Sequence, residues 1–386
     1  MDYVGMTRRR IIYVSGTRAD FGLMRHTLKV IAADARLDLS VAVTGMHLHE
    51  EFGHTVDEVA ASGLRVAARI PTHVAERNRT AMAYAVGQTL MGLTELLGTE
   101  RPDALLLLGD RGEMLAGAIA ALHLGVPAVH IHGGERSGTV DEPMRHAVSK
   151  LATYHFCATI ESRERLIAMG EAPQRVFHVG APGLDDLPAV LGAPRQTALQ
   201  ALGLMQDGPY VLVLFHPVVQ EAEGAEGQAA ALVQGLRAAG AGSAFEVVWL
   251  APNADAGSDA ILRQLATLTE PGWHQITHLP RARYLPALRH AAALLGNSSS
   301  GIIEAASFGT PVVNVGSRQH LRERNAGTVD VGIDPEAIAT ALRGALSAGR
   351  LPEQNIYGDG QAADRIDELL ATLPLCPSLL HKANRY

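Results

Sequence analysis

The sequence predicts an α/β protein made of two similar halves, each a doubly wound parallel sheet with helices on both faces. Short runs rich in Val, Ile and Leu recur along the 386 residues, and longer alanine-rich segments, such as 77–98 and 113–124, separate most of them. Strands that are apolar on both faces and alternate with helices are typical of a parallel sheet that is buried on both sides. In chain order, the predicted strands of the first half are 11–15, 39–45, 65–70, 104–109, 128–132, 154–159 and 176–180, and those of the second half are 210–215, 245–251, 276–279, 292–297, 311–316 and 328–331.

The break between the two series of strands is the segment 180–196, which contains three prolines and three glycines. Pro and Gly interrupt regular structure, so this composition predicts a linker between two domains. Two doubly wound halves that face each other bind ligands in the cleft at the carboxyl ends of their strands. The sequence therefore predicts a ligand site between the two halves.

The composition excludes several classes of protein. Hydrophobic residues make up 47% of the chain and charged residues 19%, which allows a large core and excludes intrinsic disorder. The net charge of -7 argues against nucleic acid or an anionic membrane as the main partner. Cys157 and Cys376 form no CxxC pair, which argues against a disulfide framework or a cysteine-based zinc site. Because no stretch approaches 18 consecutive apolar residues and no secretory leader is recognisable, we expect a soluble, cytoplasmic protein.

Two charged turns follow predicted strands of the first half. In SGTRADFG the chain turns after the first strand and places Arg18 and Asp20 at the start of a helix, where free N–H groups favour an anion. Asp20 could equally serve only as the helix cap. In LGDRGE, Asp110 and Arg111 stand at the tip of a central strand, where the alternatives are a ligand site and a local ion pair.

The richest segment is HIHGGERSGTVDEPMRHAVSK, at 130–150. Strand alternation places His130 and His132 on one face, Glu135 follows in a loop, and Asp141 stands where a helix begins. An H-x-H pair near carboxylates could ligate a metal, but no third ligand lies at a fixed spacing. We therefore expect no metal and favour acid–base chemistry by carboxylates of this segment.

The second half contributes GNSSSGIIEAASFGTPVVNVGSRQHLRER, which follows a predicted strand. Its start, 298–301, combines hydroxyls, a glycine and helix N–H groups that suit a diphosphate, and Glu304 could accept hydrogen bonds from ribose hydroxyls. Arg318 and Arg322 add positive charge nearby, and the missing lysine excludes a P-loop. His216 ends another strand and is either a cleft histidine or a structural one.

Seven motifs, taken in chain order, resemble one known family. They are TRADFG, GDRGEM, HGGERSGTVDEPMRHAVSKL, FHPV, APNADAG, GNSSSGIIEAASFGTPVVNVGSRQ and NIYGDG. Together they resemble the hydrolysing UDP-N-acetylglucosamine 2-epimerases of sialic acid biosynthesis, whose close relatives act on UDP-2,4-diacetamido-trideoxyglucose on the route to legionaminic acid. The resemblance runs from about residue 10 to beyond residue 357, nearly the whole chain.

The resemblance implies the glycosyltransferase-B architecture, in which two Rossmann-like domains face each other across a cleft. It implies an N-terminal domain over 1–185 with the acid–base groups, a UDP-binding domain over 186–361, and a C-terminal helix within 362–386 that packs back on the first domain. The partner would be a UDP-sugar, with no cofactor and no metal, and the chain would form a homo-oligomer, either a dimer or a tetramer.

The activity implied by the resemblance is an elimination followed by a hydration. UDP leaves across C1–C2 to give a 2-acetamidoglucal, and water then adds to give the free 2-epimer, which is N-acetylmannosamine when the substrate is UDP-N-acetylglucosamine. By resemblance, the residues that hold UDP and the sugar are Ser298, Ser299, Ser300, Gly301, Glu304, Asn253, Arg318 and His216 of the second domain, with Arg18, Arg111 and His47 of the first. The matching acid–base positions are Asp110, Asp141 and one of His132 and Glu135, and His216 is a further catalytic candidate.

One position departs from the family pattern. Some members, including the animal enzymes, have a catalytic glutamate directly before the Gly-Gly pair, where this chain has His132. Either His132 carries out that proton transfer, or Glu135, three residues further on, does so.

Four alternatives stay open at the level of sequence. The substrate could be UDP-N,N'-diacetylbacillosamine, as in legionaminic acid biosynthesis. A non-hydrolysing epimerase would return a UDP-sugar, and a retaining glycosyltransferase would share the UDP site without needing the acidic cluster. A non-catalytic nucleotide-sugar sensor would not need the acid–base set. NAD-dependent chemistry is not among these alternatives, because the chain has no GxGxxG motif after a predicted strand.

Overall fold

A computed structural model describes residues 8–50, 55–72, 78–137, 141–253 and 255–385 of the chain. In these residues the backbone forms a seven-stranded sheet and then a six-stranded sheet, and the strands within each sheet are parallel. This confirms the α/β fold with two doubly wound halves. Residues 138–140 of the HGGERSGTVDEP motif and residue 254 of APNADAG lie outside the described residues.

The first sheet occupies the N-terminal half of the chain. Its strands are β1 Arg9–Ser15, β2 Leu37–Thr44, β3 Val66–Ile70, β4 Ala104–Leu108, β5 Ala128–Ile131, β6 Tyr154–Cys157 and β7 Val176–His178. Its helices are α1 Arg18–Ala33, α2 Val56–Ala61, α3 Arg79–Glu100, α4 Gly112–Leu124, α5 Asp141–Leu151 and α6 Ile160–Ala168. The strand order is β3-β2-β1-β4-β5-β6-β7, so the chain reverses its direction across the sheet between β1 and β4.

The second sheet follows the same plan. Its strands are β8 Tyr210–Leu214, β9 Glu246–Leu250, β10 Trp273–Ile276, β11 Ala293–Gly296, β12 Val312–Val315 and β13 Thr328–Val331, in the order β10-β9-β8-β11-β12-β13. The helices of this half are α7 Arg195–Leu202, α8 Ala225–Ala239, α9 Ser258–Ala266, α10 Arg281–His290, α11 Ser299–Ile303 and α12 Pro335–Ala348, and α13 Ala362–Thr372 comes last. Within the described residues, every helix falls short of the length or the apolar character that a bilayer-spanning segment needs.

Burial on both faces explains why the central strands are continuous apolar runs. All five residues of β4 are buried, and they alternate between two cores. Leu106 packs in the cluster that contains Met24 of α1, whereas Leu105 packs in the cluster that contains Leu93 of α3. Because helices cover both faces, a strand here has no solvent-facing positions that would accept polar residues.

The central strands end at the cleft, and this places the charged turns of the sequence. β1 is next to β4 in the first sheet, and β8 is next to β11 in the second. Neighbouring strands whose connections lead in opposite directions leave a crevice beyond their carboxyl ends. The turns after these four strands contain Arg18, Asp110, His216 and Ser298.

One strand begins earlier than the sequence predicts. The apolar run at 276–279 predicts a strand there, whereas β10 ends at Ile276 and pairs with β9 through Trp273 and Gln275. β10 is an edge strand and only partly buried, so its sequence WHQI can include two polar residues. Because the strand ends at Ile276, His278 lies in the loop beyond it and lines the cleft.

The connection between the sheets is a packed crossover and not an extended linker. It forms short 3₁₀ turns, and their Leu184 and Leu187 are buried in the core of the second half. The carboxylate of Asp185 accepts hydrogen bonds from the backbone N–H groups of Ala362 (3.1 Å) and Ala363, the first residues of α13. The crossover therefore also caps the last helix.

Helix α13 returns to the first half of the molecule. Its Ile366 and Leu370 are buried in the core cluster that contains Leu28 of α1. We propose domain boundaries after residues 185 and 361, because the crossover joins the second core at the first point and α13 leaves it at the second.

The first turn of α1 is held by Asp20, which is buried. Its carboxylate accepts hydrogen bonds from the backbone N–H groups of Gly16 (3.0 Å) and Thr17 (2.7 Å) and from the hydroxyl of Ser15. Burial raises the pKa of Asp20, and these hydrogen bonds and the nearby His47 oppose the rise. Of the two interpretations of Asp20, the structure therefore supports the helix cap.

We expect Asp20→Ala to lower the free energy of unfolding by about 2–3 kcal/mol. A helix cap contributes about 0.5–2 kcal/mol, and a buried donor that loses its partner costs about 1–3 kcal/mol. Urea unfolding followed by circular dichroism measures the difference. Asp38→Ala is the matched control, since Asp38 forms a partly exposed ion pair with Arg65 (3.5 Å) that contributes at most about 1 kcal/mol. Equal losses in the two variants would contradict the capping role.

Candidate active site

A cavity of about 240 Å³ lies between the carboxyl ends of the two sheets. Turns that follow β1, β4 and β5 line it from the first half, and turns that follow β8, β9, β11 and β12 line it from the second. Its polar lining residues are Thr17, Arg18, Asp20, Asp110, Arg111, His132 and Arg145 from the first half and His216, Asn253, Ser298, Ser299, Arg318 and Arg322 from the second. Most of the residues that the sequence suggests for the site meet here.

A second cavity of about 210 Å³ opens beside the first and shares Arg18, His216, Ser298 and Ser299 with it. Its remaining lining combines apolar side chains, namely Phe21, Leu214, Leu250, Leu279, Pro280 and Tyr284, with polar and charged ones, among them Arg25, Glu58, His278, Arg281, Ser300 and Glu304. The two cavities form one elongated cleft, and we call the first cavity, which Arg111 and Arg318 line, its charged end. This shape and chemistry fit a nucleoside joined through phosphates to a polar group.

Three turns of the first half meet around Glu113, the second residue of α4. A Cβ on Gly16 would lie 2.9 Å from the Glu113 carboxyl group, and a Cβ on Gly45 would lie 2.8 Å from it. Gly45 also has a φ of 57°, which disfavours other residues. Glycine at both positions therefore lets the turns after β1 and β2 close on α4. Arg111, the N-terminal cap of α4, lies 3.4 Å from the same carboxylate.

Asp110 is paired with the fully buried guanidinium of Arg145, and Nη2 of Arg322 lies 3.9 Å from the same carboxylate. Another terminal nitrogen of Arg145 donates to the backbone carbonyl of Glu135 (3.0 Å). Burial lowers the pKa of Arg145 well below its usual range, and the charges of Arg322 and Arg318 act in the same direction. A buried cation needs such partners, so Arg145 holds Asp110 and the loop of Glu135 in fixed positions.

The sequence motifs assign no role to Arg145, and they predict Arg322 only as positive charge near the diphosphate site, without its contact with the first half. Arg145 lies one helical turn after Asp141 on α5, and this spacing is the signal that places both on one helix face. Arg322 follows β12 in irregular structure, so its place depends on how the two halves approach each other.

His132 follows β5 with a left-handed backbone, at a φ of 62°. Its Nδ1 hydrogen-bonds to the carboxylate of Glu135 while its ring lines the cavity, which leaves Nε2 for a ligand. Glu135 is buried behind the ring. A left-handed residue other than glycine is strained, and such strain concentrates at functional sites. The geometry therefore favours His132 over Glu135 as the group that reaches a substrate.

The second carboxylate oxygen of Glu135 lies 3.2 Å from Nη2 of Arg322, which comes from the other half of the molecule. Burial alone would raise the pKa of Glu135, but the positive charge of Arg322 and the contact with His132 lower it to about 2. Glu135 is therefore a permanent carboxylate that orients the ring of His132.

Asp141 is the first residue of α5 and is half-buried, outside the lining of the cavity. Burial lowers the pKa of Arg318, and the negative charges of Asp141 and Asp255 oppose that change. Burial would also lower the pKa of Arg111, but Glu113, Asp255 and Asp141 raise it above its usual value. The negative charge of Asp141 thus opposes the effect of burial on the pKa of one arginine from each half.

His216 follows β8 and enters the cleft as a neutral ring. Its Nδ1 accepts a hydrogen bond from the backbone N–H of Asn253 (3.1 Å), so the ring proton is on Nε2. Burial lowers the pKa of His216 well below its usual value, and the charges of Arg318, Arg18 and Arg111 reinforce the shift. A neutral N–H donor fits a hydrogen bond to a phosphate oxygen, in line with the UDP-holding role implied by the resemblance, better than it fits the role of a further catalytic candidate.

The turn after β11 contains serines that face the cleft and a glycine that allows close packing. Ser298 caps α11, and Ser298 and Ser299 line both cavities. A Cβ on Gly301 would lie 2.9 Å from Leu294 and 3.0 Å from Val312, so glycine here lets α11 approach the sheet. Gly301 is therefore needed for packing, and the serines beside it face the cleft.

Glu304 and Ser300 line the second cavity. The carboxylate of Glu304 accepts hydrogen bonds from the hydroxyl of Ser300 and from Arg281, and the hydroxyl of Tyr284 also bonds to Ser300. This network holds a buried carboxylate beside the apolar surface that suits a nucleoside. A ribose hydroxyl placed there would find an acceptor in Glu304.

A polar contact of Arg111 crosses the cleft. Nη1 of Arg111 lies 3.5 Å from Asp255 of the second half, which also accepts a hydrogen bond from the side chain of Asn253. Within the second half, Arg318 donates to the backbone carbonyl of Asn297 (3.2 Å) and lines the first cavity. These contacts place one arginine of each half beside the same cavity.

Arg18, the first residue of α1, also crosses the cleft. It donates to the backbone carbonyl of Thr277 (3.2 Å) and to Nδ1 of His278. Nε2 of His278 hydrogen-bonds in turn to Glu58 of α2 (2.9 Å). Sequence reasoning misses His278 and Glu58, because the first follows an edge strand of unremarkable sequence and the second stands in no recognised motif.

The expectation that His47 faces the sugar is wrong. His47 is fully buried, and its ring nitrogens hydrogen-bond to Ser15 (2.9 Å) and Thr55 (2.8 Å). Burial lowers its pKa, against the effect of nearby carboxylates. The short 3₁₀ turn that carries it directs the preceding residue, Met46, to the cavity instead. His47 therefore stabilises the turn and does not line the cleft.

Within the described residues, no group of three or more His, Cys, Asp or Glu side chains is arranged to hold a metal ion. His130, the other histidine of the H-x-H pair, hydrogen-bonds to Ser149 (2.9 Å) and to the backbone carbonyl of Gly109 (2.7 Å). Burial lowers the pKa of His130 to about 3, so its neutral ring serves to join the ends of β4 and β5.

The family model for UDP-N-acetylglucosamine 2-epimerase matches residues 29–371. A Legionella pneumophila protein named UDP-N,N'-diacetylbacillosamine 2-epimerase (hydrolyzing) is 47% identical over 379 residues, which cover 98% of this chain and 100% of that protein. A UDP-N-acetylglucosamine 2-epimerase of Neisseria meningitidis is 30% identical over 352 residues, 91% of each chain. The structure of Methanocaldococcus jannaschii UDP-GlcNAc 2-epimerase, in complex with UDP-GlcNAc and UDP, has a TM-score of 0.78 at 18% identity and covers 94% of this chain and 99% of that one, a likeness of fold.

We expect Arg318→Ala to weaken the binding of UDP by about 1–3 kcal/mol, the range for a charge-assisted hydrogen bond. Isothermal titration calorimetry with UDP measures the change. Arg343→Ala is the control, because Arg343 lies on the exposed surface of α12. Unchanged affinity in the Arg318 variant would remove this residue from the diphosphate site.

Proposed function

The chain belongs to the UDP-N-acetylglucosamine 2-epimerase family, and we propose that it is a hydrolysing member. A UDP-2-acetamido sugar and water would give UDP and the free sugar with the opposite configuration at C2. The observation that carries this proposal is the 47% identity to a relative named as a hydrolysing 2-epimerase. The cleft supports it separately, because arginines and a neutral N–H donor stand beside a histidine–carboxylate pair.

We propose UDP-N,N'-diacetylbacillosamine as the preferred substrate and UDP-N-acetylglucosamine as the second candidate. The relative named for the first activity is 47% identical, whereas the N. meningitidis relative named for the second is 30% identical. The two sugars differ at C4, which carries an acetamido group in the first and a hydroxyl in the second, and at C6, where the trideoxy sugar lacks the hydroxyl. Offering both at equal concentration decides between them.

The first chemical step breaks the C2–H bond and the C1–O bond. Nε2 of His132 takes the C2 proton, the C–H electron pair becomes the C1=C2 double bond, and the C1–O pair leaves with UDP. Glu135 holds the N–H at Nδ1 of His132, so Nε2 is the basic nitrogen and the imidazolium that forms is stabilised. This elimination needs no oxidant or reductant, and neither does the hydration that follows it.

The charged end of the cleft stabilises the leaving group. Arg18, Arg111 and Arg318 line the same cavity as His216, whose Nε2–H is free of the Asn253 contact. Donors fixed where negative charge develops lower the barrier, because they need little reorganisation during the reaction. Departure of UDP is therefore favoured while the C2 proton is being removed.

In the second step water adds across the double bond. Its oxygen joins C1, and a proton reaches C2 from the face opposite the one that lost it. We assign this transfer to Asp110, which lines the cavity and is held by Arg145: its carboxylate takes a proton from the water as the C1–O bond forms, and a proton passes from it to C2. Asp141 belongs to the same proton-transfer set in our proposal, and it also adjusts the charges of Arg111 and Arg318.

The proposal also includes a homo-oligomeric state and a location in the cytoplasm. The supporting observation for the oligomer is the exposure of Tyr84 and Met91, two turns apart on α3. Analytical ultracentrifugation of the purified protein tests this part.

Substitutions in the acid–base set should lower kcat and leave UDP affinity nearly intact. We expect His132→Ala, Asp110→Asn and Asp141→Asn each to lower kcat by about 100-fold or more, since proton transfer contributes about 10²–10⁴. Glu135→Gln should cost less, because it removes the charge that stabilises the imidazolium but leaves the imidazole that takes the proton. The rate of UDP release, measured with a coupled assay, gives kcat. A larger loss in Glu135→Gln than in His132→Ala would make Glu135 the proton-transfer group.

The mechanism predicts where isotopes from the solvent appear. In D₂O the free sugar should carry one deuterium at C2, because the original proton is lost to His132 and replaced from solvent. In water labelled with oxygen-18, the label should appear at C1 of the sugar and not in UDP, because the C1–O bond breaks. Mass spectrometry and NMR of both products measure these positions.

The same experiment separates the alternatives. Protium retained at C2 in D₂O would exclude elimination. A non-hydrolysing epimerase would return a deuterated UDP-sugar, a simple hydrolase would keep the C2 hydrogen and configuration, and a sensor would release no product at all.

A further inference from the structure

One segment of the second half reaches into the first half beside the acid–base pair. We call residues 318–324, which follow β12, the docking segment. Two consecutive side chains of this segment, Arg322 and Glu323, contact the first half at different places. The docking segment is therefore a connection between the position of the second half and the groups around His132.

Arg322 contacts the carboxylate that orients His132. Its side chain is 10% exposed, and its Nη2 lies 3.2 Å from Oε2 of Glu135 and 3.9 Å from Oδ2 of Asp110. The other oxygen of Glu135 hydrogen-bonds to Nδ1 of His132. One carboxylate of the first half is thus shared between the proposed base and an arginine of the second half.

Glu323 anchors the docking segment on helix α6. Its carboxylate accepts hydrogen bonds from the hydroxyls of Thr159 (2.6 Å) and Ser162 (3.4 Å), at the first turn of α6. Its backbone carbonyl accepts a hydrogen bond from the hydroxyl of Tyr357 (2.9 Å). This anchor determines where the neighbouring Arg322 lies.

We propose that Arg322 is a positioning residue that makes the His132–Glu135 pair competent for proton abstraction by contacting Glu135 across the cleft, with Glu323 as its anchor. The inference rests on the proposed function. It goes beyond that function by assigning to a residue of the nucleotide-binding half a role in the acid–base chemistry of the other half.

The physical basis is the compensation of charge at Glu135. Its carboxylate contacts both Nδ1 of His132 and the guanidinium of Arg322, which neutralises part of its negative charge. Uncompensated negative charge beside an imidazole favours the cationic ring, so we expect the variant without the guanidinium to need a higher pH before the C2 proton can be accepted. The loss of activity should therefore be large at acidic pH and small at alkaline pH.

The other titratable or charged groups around Glu135 keep one state near neutral pH. Burial lowers the pKa of His130 on β5 to about 3 and raises that of Cys157 on β6 to about 12, and it also raises the pKa of Tyr357. Arg145 of α5 faces the backbone carbonyl of Glu135 and pairs with Asp110. Burial also raises the pKa of Glu323, and substitution of this residue by Gln or Leu removes its titration.

The test is the dependence of kcat/KM on pH in Arg322→Met and Arg322→Lys, with the full chain and the UDP-sugar that the wild type hydrolyses. We expect the acidic side of the profile of Arg322→Met to move to higher pH by about one unit, with activity largely recovered at pH 9. Arg322→Lys keeps the charge and should fall between the wild type and Arg322→Met. A loss of kcat/KM that is equal at all pH values and appears as a higher KM would overturn the proposal, because Arg322 would then serve diphosphate binding.

A second pair of variants tests the anchor without touching the cavity. Glu323→Gln keeps an acceptor for Thr159 and should retain the wild-type profile, whereas Glu323→Leu loses it and should shift the profile in the same direction as Arg322→Met, by less. UDP affinity should be unchanged in both. An unshifted profile in Glu323→Leu together with an unshifted profile in Arg322→Met would refute the inference. Failure of the wild type to release a free 2-epimer would instead refute the proposed function.

Discussion

The cleft depends on the balance of charge among a few buried groups that come from both halves of the chain. Arg145 and Glu135 are almost completely removed from water, and an unpaired ion in such a place costs several kcal/mol. Arg145 is compensated by Asp110 and by the backbone carbonyl of Glu135, and Glu135 is compensated by Arg322 of the second half. Helix α5, the turn after β4 and the docking segment must therefore keep one relative arrangement.

The same distribution of charge gives two histidines of one cleft different properties. Nδ1 of His216 accepts a backbone N–H and its neighbours are arginines, so the ring stays neutral and presents a donor. Nδ1 of His132 faces the carboxylate of Glu135, so its other nitrogen is the basic one. Neither role follows from the residue type. The partner at Nδ1 decides in each case whether the exposed nitrogen donates or accepts.

The second cavity is linked to the crossover between the halves by one guanidinium. Arg281 donates to Glu304 in this cavity, to Asp186 (3.1 Å) and to the backbone carbonyl of Gly183, the last two being in the crossover. A ligand that hydrogen-bonds to Glu304 would therefore contact the direct partner of the guanidinium that holds the crossover. On the opposite side of the cleft, the Arg18–His278–Glu58 chain joins the halves directly. Residues that line the cleft thus also hold the two halves together.

The sequence by itself determined the two parallel sheets, because strands covered on both faces must be continuous apolar runs, and it determined which turns carry charge at the carboxyl ends of those strands. It also placed Asp20 at the start of α1, within five residues of its hydrogen-bond partners, and Arg322 near the charged cleft. Only the tertiary structure decided that Asp20 caps its helix, that His132 and not Glu135 lines the cavity, and that His47 turns away from it. It alone also showed that Arg322 reaches Glu135 and that His278 lines the cleft. These outcomes depend on burial and on contacts between segments that are far apart in the chain, and a one-dimensional pattern contains neither.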